Sequence, residues 1–443
     1  MYQDLTKGKI GKTLILFALP MMAGNFLQQF YNIADTLIVG RVLGRNALAA
    51  VGSAYTLMTF LTSIFLGFSM GAGALFSIYY GKGDKKSLTD AIAHGFLLNI
   101  GVTLAVNVAV YLLLEQLLVW LRIPAEVTDG MRQYLVIIFA GLIASSIYNF
   151  FACMLRALGN AVVPLVFLAV STILNIGLDL LFVIGLKGGI GGAAYATILS
   201  QYLSAIGICI YVAVACKDLR PKREEFRWNK QMVGELLNLS TMTCVQQSVM
   251  NLGILMVQGL VNSFGAVVMA AFAAAVKIDT VAYLPVQDFG NAYATFIAQN
   301  FGAGDRERIR KGTKQAFVIS LVFAAVMSLV VCIFAGPLMQ IFVGVSETEV
   351  IATGVQYLRI EGACYVGIAC LFLLYGYYRA VKKASVSVVL TVISLGTRVA
   401  LAYLLAPVIG ETGIWMAIPI GWALADLVGL IGMKKYQLTN NCI

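Results

Sequence analysis

The stretch TLILFALPMMAGNFLQQFYNIAD, residues 13–35, decides the fold class of this protein. Residues 13–34 contain no Asp, Glu, Lys or Arg, and Asp35 closes the run. A helix needs about 20 apolar residues to cross a bilayer, and it satisfies its own backbone polar groups in lipid. The stretch is therefore predicted to be a membrane-spanning helix. A carboxyl group in such a helix costs free energy, so the presence of Asp35 needs a functional or structural reason.

The composition extends this prediction to the whole chain. The protein has 443 residues, of which 60% are hydrophobic and only 12% charged, whereas soluble domains carry about 25% charged residues. The sequence therefore predicts an all-α integral membrane protein with 12 transmembrane helices. The predicted helices are 13–38, 48–78, 88–115, 131–153, 160–184, 190–215, 232–259, 266–298, 312–337, 350–377, 384–406 and 412–433.

The distribution of basic residues predicts the orientation of these helices. Most of the 31 Lys and Arg fall in the N-terminus, the even-numbered loops and the C-terminus. By the positive-inside rule these regions are cytoplasmic, so we expect a multi-pass protein of the plasma membrane with both termini inside. The same rule explains the net charge of +10 better than nucleic-acid binding does. The only histidine, His94, is expected at the membrane interface.

An internal duplication divides the chain into two lobes. The segment LGRNALAA (43–50) aligns with FGAVVMAA (264–271), and YGKGDKK (80–86) aligns with FGAGDRE (301–307) at the same offset. Each copy has an even number of helices, so the copies keep one orientation and are expected to enclose a central cleft. This is typical of transporters.

The predicted domain bounds follow from that duplication. They are an N-lobe at 1–215, a cytoplasmic linker at 216–231 and a C-lobe at 232–443. The Gly-x-Gly-Asp motifs at the second helix of each lobe are predicted to stop one helix with glycine and cap the next with aspartate.

Asp35 is the first candidate site residue. Gln28 lies seven residues earlier on the same helical face, and Pro20 lies inside the helix, where proline kinks it or acts as a hinge. A structural alternative is a salt bridge from Asp35 to Arg41, or a carboxylate that reaches the interface.

The fifth predicted helix supplies a second group of oxygen-bearing side chains. Asn175 and Asp179 are four residues apart and share one face, with Thr172 one turn earlier. Thr197, with Gln201 one turn later, adds oxygen atoms from the next helix. Hard oxygen ligands of this kind suit a bare cation or a proton relay. The alternative is a hydrogen-bonded clamp between helices.

The C-terminal half carries charges with no evident common site. They either contact the substrate or form structural ion pairs, and an Arg398 pair with Asp279 or Asp288 is one option. The candidates are Gln246, Lys277, Asp279, Asp288, Glu361 and Arg398.

Several classes of function are disfavoured by the sequence. It contains no Ser-His-Asp set, no metal-ligand cluster and no Walker loop, so neither an enzyme nor an ATPase is predicted. The eight cysteines are scattered, as expected of small packing residues. Energy for transport is then expected from an ion gradient.

The chain resembles the multidrug and toxic compound extrusion (MATE) transporters along nearly its whole length. The segments that carry the resemblance are ADTLIVGRVLG (34–44), LRALGN (155–160), NIGLD (175–179) and GGAAYAT (191–197).

The resemblance implies a V-shaped pair of six-helix lobes and export of amphipathic or cationic organic compounds by antiport with Na⁺ or H⁺. It implies an N-lobe cation site at Asp35, Asn175, Asp179 and Thr197, as in the DinF-like branch, and Pro20 matches the proline at which the first helix bends. The NorM-like branch also carries acids in helices 7 and 10. This sequence has none inside helix 7, so a C-lobe cation site is not expected.

A flippase for a lipid-linked precursor, from the same wider superfamily, is the alternative function. It would need a basic cleft, whereas the N-lobe is acidic inside. The expected partners are small molecules and the lipid bilayer, without nucleic acid or an obligate protein partner. No cofactor is expected beyond the coupling ion.

Overall fold

The computed structural model describes residues 3–120, 125–219 and 227–440, and within these ranges the protein is built from α-helices. Residues 220–226 of the predicted linker lie outside the described residues. The helices are α1 (Ile10–Leu43), α2 (Arg45–Lys82), α3 (Lys85–Leu112), α4 (Leu114–Trp120), α5 (Ala125–Ala157), α6 (Val162–Asp179), α7 (Gly189–Ala215), α8 (Lys230–Asn262), α9 (Ala266–Ala303), α10 (Arg306–Phe342), α11 (Thr348–Gly362), α12 (Tyr365–Ala380), α13 (Ala384–Ile409) and α14 (Glu411–Asn440).

The predicted number of transmembrane helices is confirmed. Among the described residues, eleven helices are long and apolar enough to cross a membrane, and the pair α11 and α12 makes the twelfth span. The prediction of one continuous helix over 350–377 is wrong. Its two parts meet at a bend of 50° after Gly362, because apolar sequence on both sides of a break does not reveal the break.

The chain divides into two compact units. Unit 1 contains the described residues of Met1–Asp4 and Leu19–Cys244, and unit 2 contains those of Leu5–Ala18 and Val245–Ile443. The division falls inside α1, one residue before Pro20, and inside α8. The predicted lobes follow whole helices, whereas the two units share two helices.

The duplication is visible in the backbone of each unit. Gly83 and Gly304 end α2 and α9 in the left-handed conformation, with φ of 72° and 74°. Asp84 and Asp305 then cap α3 and α10, because their side chains accept the N–H groups of residues three positions later. The predicted role of the Gly-x-Gly-Asp motifs as a glycine stop and aspartate cap is confirmed.

Close helix contacts in each unit depend on small residues. In unit 1, a Cβ on Gly71 would lie 2.5 Å from the Cα of Ser240. In unit 2, a Cβ on Gly376 would lie 2.7 Å from the carbonyl oxygen of Gly290. Membrane helices associate through such small-residue contacts, since lipid offers no hydrophobic driving force.

His94 is packed inside the protein. Its side chain is 0% exposed, and its expected depth at the membrane interface stays a prediction. Its Nδ1 lies 2.7 Å from the carbonyl oxygen of Asp90, and its Nε2 accepts the backbone N–H of Asn229 at 3.1 Å. His94 thereby fastens the end of the linker to α3 within unit 1.

Candidate functional site

Two buried carboxyl groups form the centre of the candidate site in unit 1. Asp35 on α1 lies within hydrogen-bonding reach of Asp179 on α6. Asp35 is 8% exposed and Asp179 is 0% exposed. The predicted association of these two residues is therefore present as a direct contact between helices far apart in sequence.

Hydroxyl groups surround the carboxyl pair. Tyr31 lies one helical turn before Asp35 and shares a hydrogen bond of 3.3 Å with the hydroxyl of Thr197 on α7. Tyr134 on α5 lies near the same Thr197 hydroxyl. Helices α1, α5, α6 and α7 thus converge at one small polar site.

Several polar atoms of this site have no hydrogen-bond partner among the residues that the structure describes. Both oxygens of Asp179 have none apart from the facing carboxyl group of Asp35, and Oδ1 of Asp35 also lacks one. Asn175, one turn before Asp179 and 1% exposed, has neither its amide oxygen nor its amide nitrogen satisfied. Buried polar groups are normally paired, so these atoms are candidate ligands for an ion or a water molecule.

Asp179 lies where its helix changes from α-helical to π-helical hydrogen bonding. Helix α6 ends at Asp179 and continues as one π-helical segment, Leu180–Gly185. Such segments are uncommon and often mark functional sites. The turn to α7 is tight: Gly188 donates to the carbonyl of Phe182 at 2.8 Å, and a Cβ on Gly192 would lie 3.0 Å from the same oxygen.

The electrostatics of the site require a positive charge. Two ionised carboxylates within hydrogen-bonding reach repel each other, and burial removes the water that would screen them. The alternative partner named from the sequence, Arg41, is exposed, whereas Asp35 is buried. A proton or a monovalent cation at the carboxyl pair would supply the missing charge.

The four predicted supporting residues lie around this centre rather than in it. Thr172 is buried but donates to the carbonyl of Leu168 in its own helix at 2.9 Å. Gln201 packs against Gly141 of α5. Gln28 is exposed, and α1 is continuous through Pro20.

Two site residues were missed by the sequence analysis. Tyr31 is four residues before Asp35, so helical spacing alone was sufficient to place it on the same face. Tyr134 lies on α5, and no local pattern connects it to the other site residues. Only the packing of α5 against α7 brings it to Thr197.

Unit 2 holds a second pair of buried acids. Asp279 on α9 and Glu361 at the end of α11 are 2% and 6% exposed and lie within hydrogen-bonding reach of each other. Tyr365 donates a hydrogen bond to Asp279. The hydroxyl of Tyr357 lies within reach of both acids.

Unlike the pair in unit 1, this second pair has a cation nearby. Arg398 on α13 interacts electrostatically with Glu361, and its suggested pairing with Asp279 or Asp288 stays a prediction. Lys277 is exposed and does not join the cluster. Asp288 and Gln246 are buried elsewhere on α9 and α8, at 3% and 2% exposure.

Comparison with known proteins identifies similar sequences over nearly the whole chain. A family model described as MatE matches residues 20–181 and 240–404. "Probable multidrug resistance protein YpnP" of Bacillus subtilis (strain 168) is 29% identical over 435 residues, which cover 97% of this chain and 96% of that protein. "Probable multidrug resistance protein NorM" of Thermotoga maritima is 26% identical over 434 residues, covering 95% and 90%.

Solved structures share the fold. A crystal structure of MATE in complex with MaL6 superposes with a TM-score of 0.93 at 21% identity, covering 99% of both chains. An outward-facing conformation of a multidrug resistance MATE family transporter of the MOP superfamily gives a TM-score of 0.92 at 21% identity, covering 98% of both chains.

Proposed function

Because the chain belongs to the MatE family of transporters, we propose that it exports amphipathic and cationic organic compounds by antiport with Na⁺ or H⁺. The coupling ion binds in unit 1 at Asp35 and Asp179, with Asn175 and Thr197 beside them. The observation that carries this proposal is the close approach of two buried carboxyl groups for which no described residue supplies a compensating base.

The site suits either coupling ion chemically. A proton would be shared between the two carboxyl groups, which already lie within hydrogen-bonding reach. Sodium would take the carboxylate oxygens together with the amide oxygen of Asn175 and the hydroxyl of Thr197, since hard cations prefer oxygen ligands. Tyr31 would then orient that hydroxyl through its hydrogen bond of 3.3 Å.

Antiport follows from a difference in affinity. If the ion favours a conformation that binds the exported compound weakly, then the compound must weaken the binding of the ion by the same factor. An ion entering from outside would thus release the compound there. Pro20, next to the boundary between the two units, is a suitable place for α1 to bend.

The pair in unit 2 has a different role in this proposal. Arg398 supplies a positive charge near Glu361, and Tyr365 and Tyr357 supply donors. This pair therefore needs an external ion less than the pair in unit 1 does. We infer that it stabilises the bend between α11 and α12, because Glu361 lies one residue before the end of α11.

Substrate class, location and partners complete the proposal. A cationic substrate agrees with the acidic interior of unit 1, which does not favour a pyrophosphate-bearing lipid. The protein is proposed to lie in the plasma membrane with both termini in the cytoplasm, following the distribution of Lys and Arg. Export in this scheme needs neither a protein partner nor nucleic acid.

The test is efflux of a fluorescent organic cation from proteoliposomes under separately imposed Na⁺ and pH gradients. We expect one gradient to drive export, and we expect Asp35→Asn and Asp179→Asn to reduce gradient-driven export at least tenfold. Asp218→Asn, which alters an exposed acid, is the matched control. Full gradient-driven export by both site variants would refute the coupling role.

A further inference from the structure

A groove lies in unit 2 where α1 begins and α10 begins. It consists of two adjoining cavities of about 500 Å³ and 510 Å³ that share Lys311 and Gln315. The start of α1, from Gly8 to Gly11, forms one wall, and the outer face of α10 forms the other. All of these residues belong to unit 2.

The wall at the start of α1 is fixed by hydrogen bonds. The guanidinium group of Arg308 donates to the carbonyl oxygens of Lys7 at 2.6 Å and Gly8 at 2.9 Å, and it also reaches that of Leu5. Leu5 is fully buried and donates its N–H to the side chain of Gln299 at 3.1 Å. The groove is therefore a built feature and not a gap beside a loose terminus.

The charges in the groove leave positive groups available. Lys311 pairs with Glu307 at 2.6 Å, and Arg308 is committed to backbone carbonyls. Asp305 caps α10 through the N–H of Arg308. Lys9 and Lys314 are exposed, and neither ammonium group has an ion pair or a hydrogen bond to a described residue.

The polarity of α10 changes along the groove. Acids stand at its first turn, the free Lys314 follows two turns later, and Val318 and Ile319 line its deeper end. Val318 is 55% exposed on a helix that crosses the membrane. A basic layer directly above an apolar layer matches a phospholipid, with its phosphate at the lysines and an acyl chain along the valine and isoleucine.

We propose that this groove binds one anionic phospholipid, with phosphatidylglycerol as the fitting headgroup. Lys9 and Lys314 hold the phosphate, and Val318 and Ile319 contact an acyl chain. Two free ammonium groups complement a single phosphate. The carboxylates of Asp305 and Glu307 at the rim disfavour a headgroup that carries its own carboxylate, such as phosphatidylserine.

Native mass spectrometry of the delipidated protein, titrated with phosphatidylglycerol, tests the proposal. We expect one saturable adduct, and we expect its apparent Kd to rise about 30-fold in the double variant Lys9→Gln/Lys314→Gln, as loss of two basic contacts to an anionic headgroup predicts. Lys9→Arg/Lys314→Arg should keep the wild-type affinity, which separates loss of charge from loss of folding. Lys86→Gln/Lys230→Gln, which removes the same charge from exposed sites in unit 1, should leave the affinity unchanged.

Three results would overturn the proposal. The first is equal affinity for phosphatidylcholine of the same chain length, since the groove would then not distinguish an anionic headgroup from one without net charge. The second is equal binding by the Lys9→Gln/Lys314→Gln variant and the wild type. The third is equally tight binding of soluble glycerol phosphate, which would make the groove a site for a solute rather than a lipid.

Discussion

Replacing Asp179 by asparagine should strongly weaken ion binding in unit 1 while leaving the fold intact. The substitution keeps the volume of the side chain and removes one of two buried charges. At a separation of about 4 Å and an effective dielectric constant of about 20, one carboxylate attracts a monovalent cation by about 4 kcal/mol. Some of this is recovered by relaxation, so we expect an affinity loss of at least about 100-fold, equivalent to about 2.7 kcal/mol.

Thermal unfolding of purified protein measures this loss directly. An ion present at about 100 times its Kd stabilises the wild type by about 2.7 kcal/mol, and a 100-fold weaker site leaves about 0.4 kcal/mol at the same concentration. The unfolding midpoint is followed during separate titrations with NaCl, at constant ionic strength, and with acid.

Asp279→Asn is the matched control, because it removes a buried aspartate from the unit 2 pair, which has Arg398 nearby. We expect Asp279→Asn to lower the midpoint but to keep the stabilisation by the ion. The reasoning would be refuted if Asp179→Asn were stabilised by the ion as strongly as the wild type.

Three smaller predictions follow from single contacts. Tyr31→Phe removes the hydroxyl that bonds Thr197 at 3.3 Å and should weaken ion binding roughly 2- to 10-fold in the same titration. Gly192→Ala places a Cβ 3.0 Å from the carbonyl oxygen of Phe182 and should lower the free energy of unfolding by about 1–3 kcal/mol. Asp84→Ala removes a helix cap and should cost about 1 kcal/mol at neutral pH. The pKa of Asp84 is lowered from its ordinary 3.8 because the carboxylate accepts the backbone N–H of Ser87; the advantage of the wild type should therefore disappear as the pH falls through that lowered pKa.

Each of these predictions has a contradicting outcome. Unchanged ion affinity in Tyr31→Phe would mean that the hydroxyl does not position Thr197. A Gly192→Ala variant as stable as the wild type would mean that the turn has room for a methyl group. A stability difference for Asp84→Ala that persists unchanged well below pH 3 would mean that the charge of the cap is irrelevant.

Much of this architecture can be predicted from the sequence, because a helix that crosses lipid must be long and apolar. Charge-free runs such as 13–34 mark helices, and the repeated Gly-x-Gly-Asp motif marks equivalent turns in both halves. Asp35, Asn175, Asp179 and Thr197 were selected because buried polar groups are costly in a membrane. That cost depends on residue type and local pattern, so one sequence is enough to select these residues as candidates.

Contacts between helices that are far apart in the sequence could not be predicted in this way. The approach of Asp279 to Glu361 depends on how α9 packs against α11, and no spacing along the chain encodes it. Tyr134 joins the site in unit 1 for the same reason. The bend between α11 and α12 was missed because Gly362 is one of three glycines in this region, with Gly354 and Gly367, and glycine alone does not show where a helix breaks.

The central claim is that the carboxyl pair Asp35 and Asp179 couples an ion to export, and simultaneous measurement of both fluxes tests it most directly. Proteoliposomes are loaded with a fluorescent organic cation, and ion entry is recorded in the same vesicles, with ²²Na⁺ for sodium and an internal pH indicator for protons. We expect one ion to enter vesicles that hold the wild type only while the compound leaves, and we expect this substrate-dependent ion flux to be absent with Asp35→Asn and Asp179→Asn. Substrate-dependent ion flux of wild-type size in either variant would contradict the central claim.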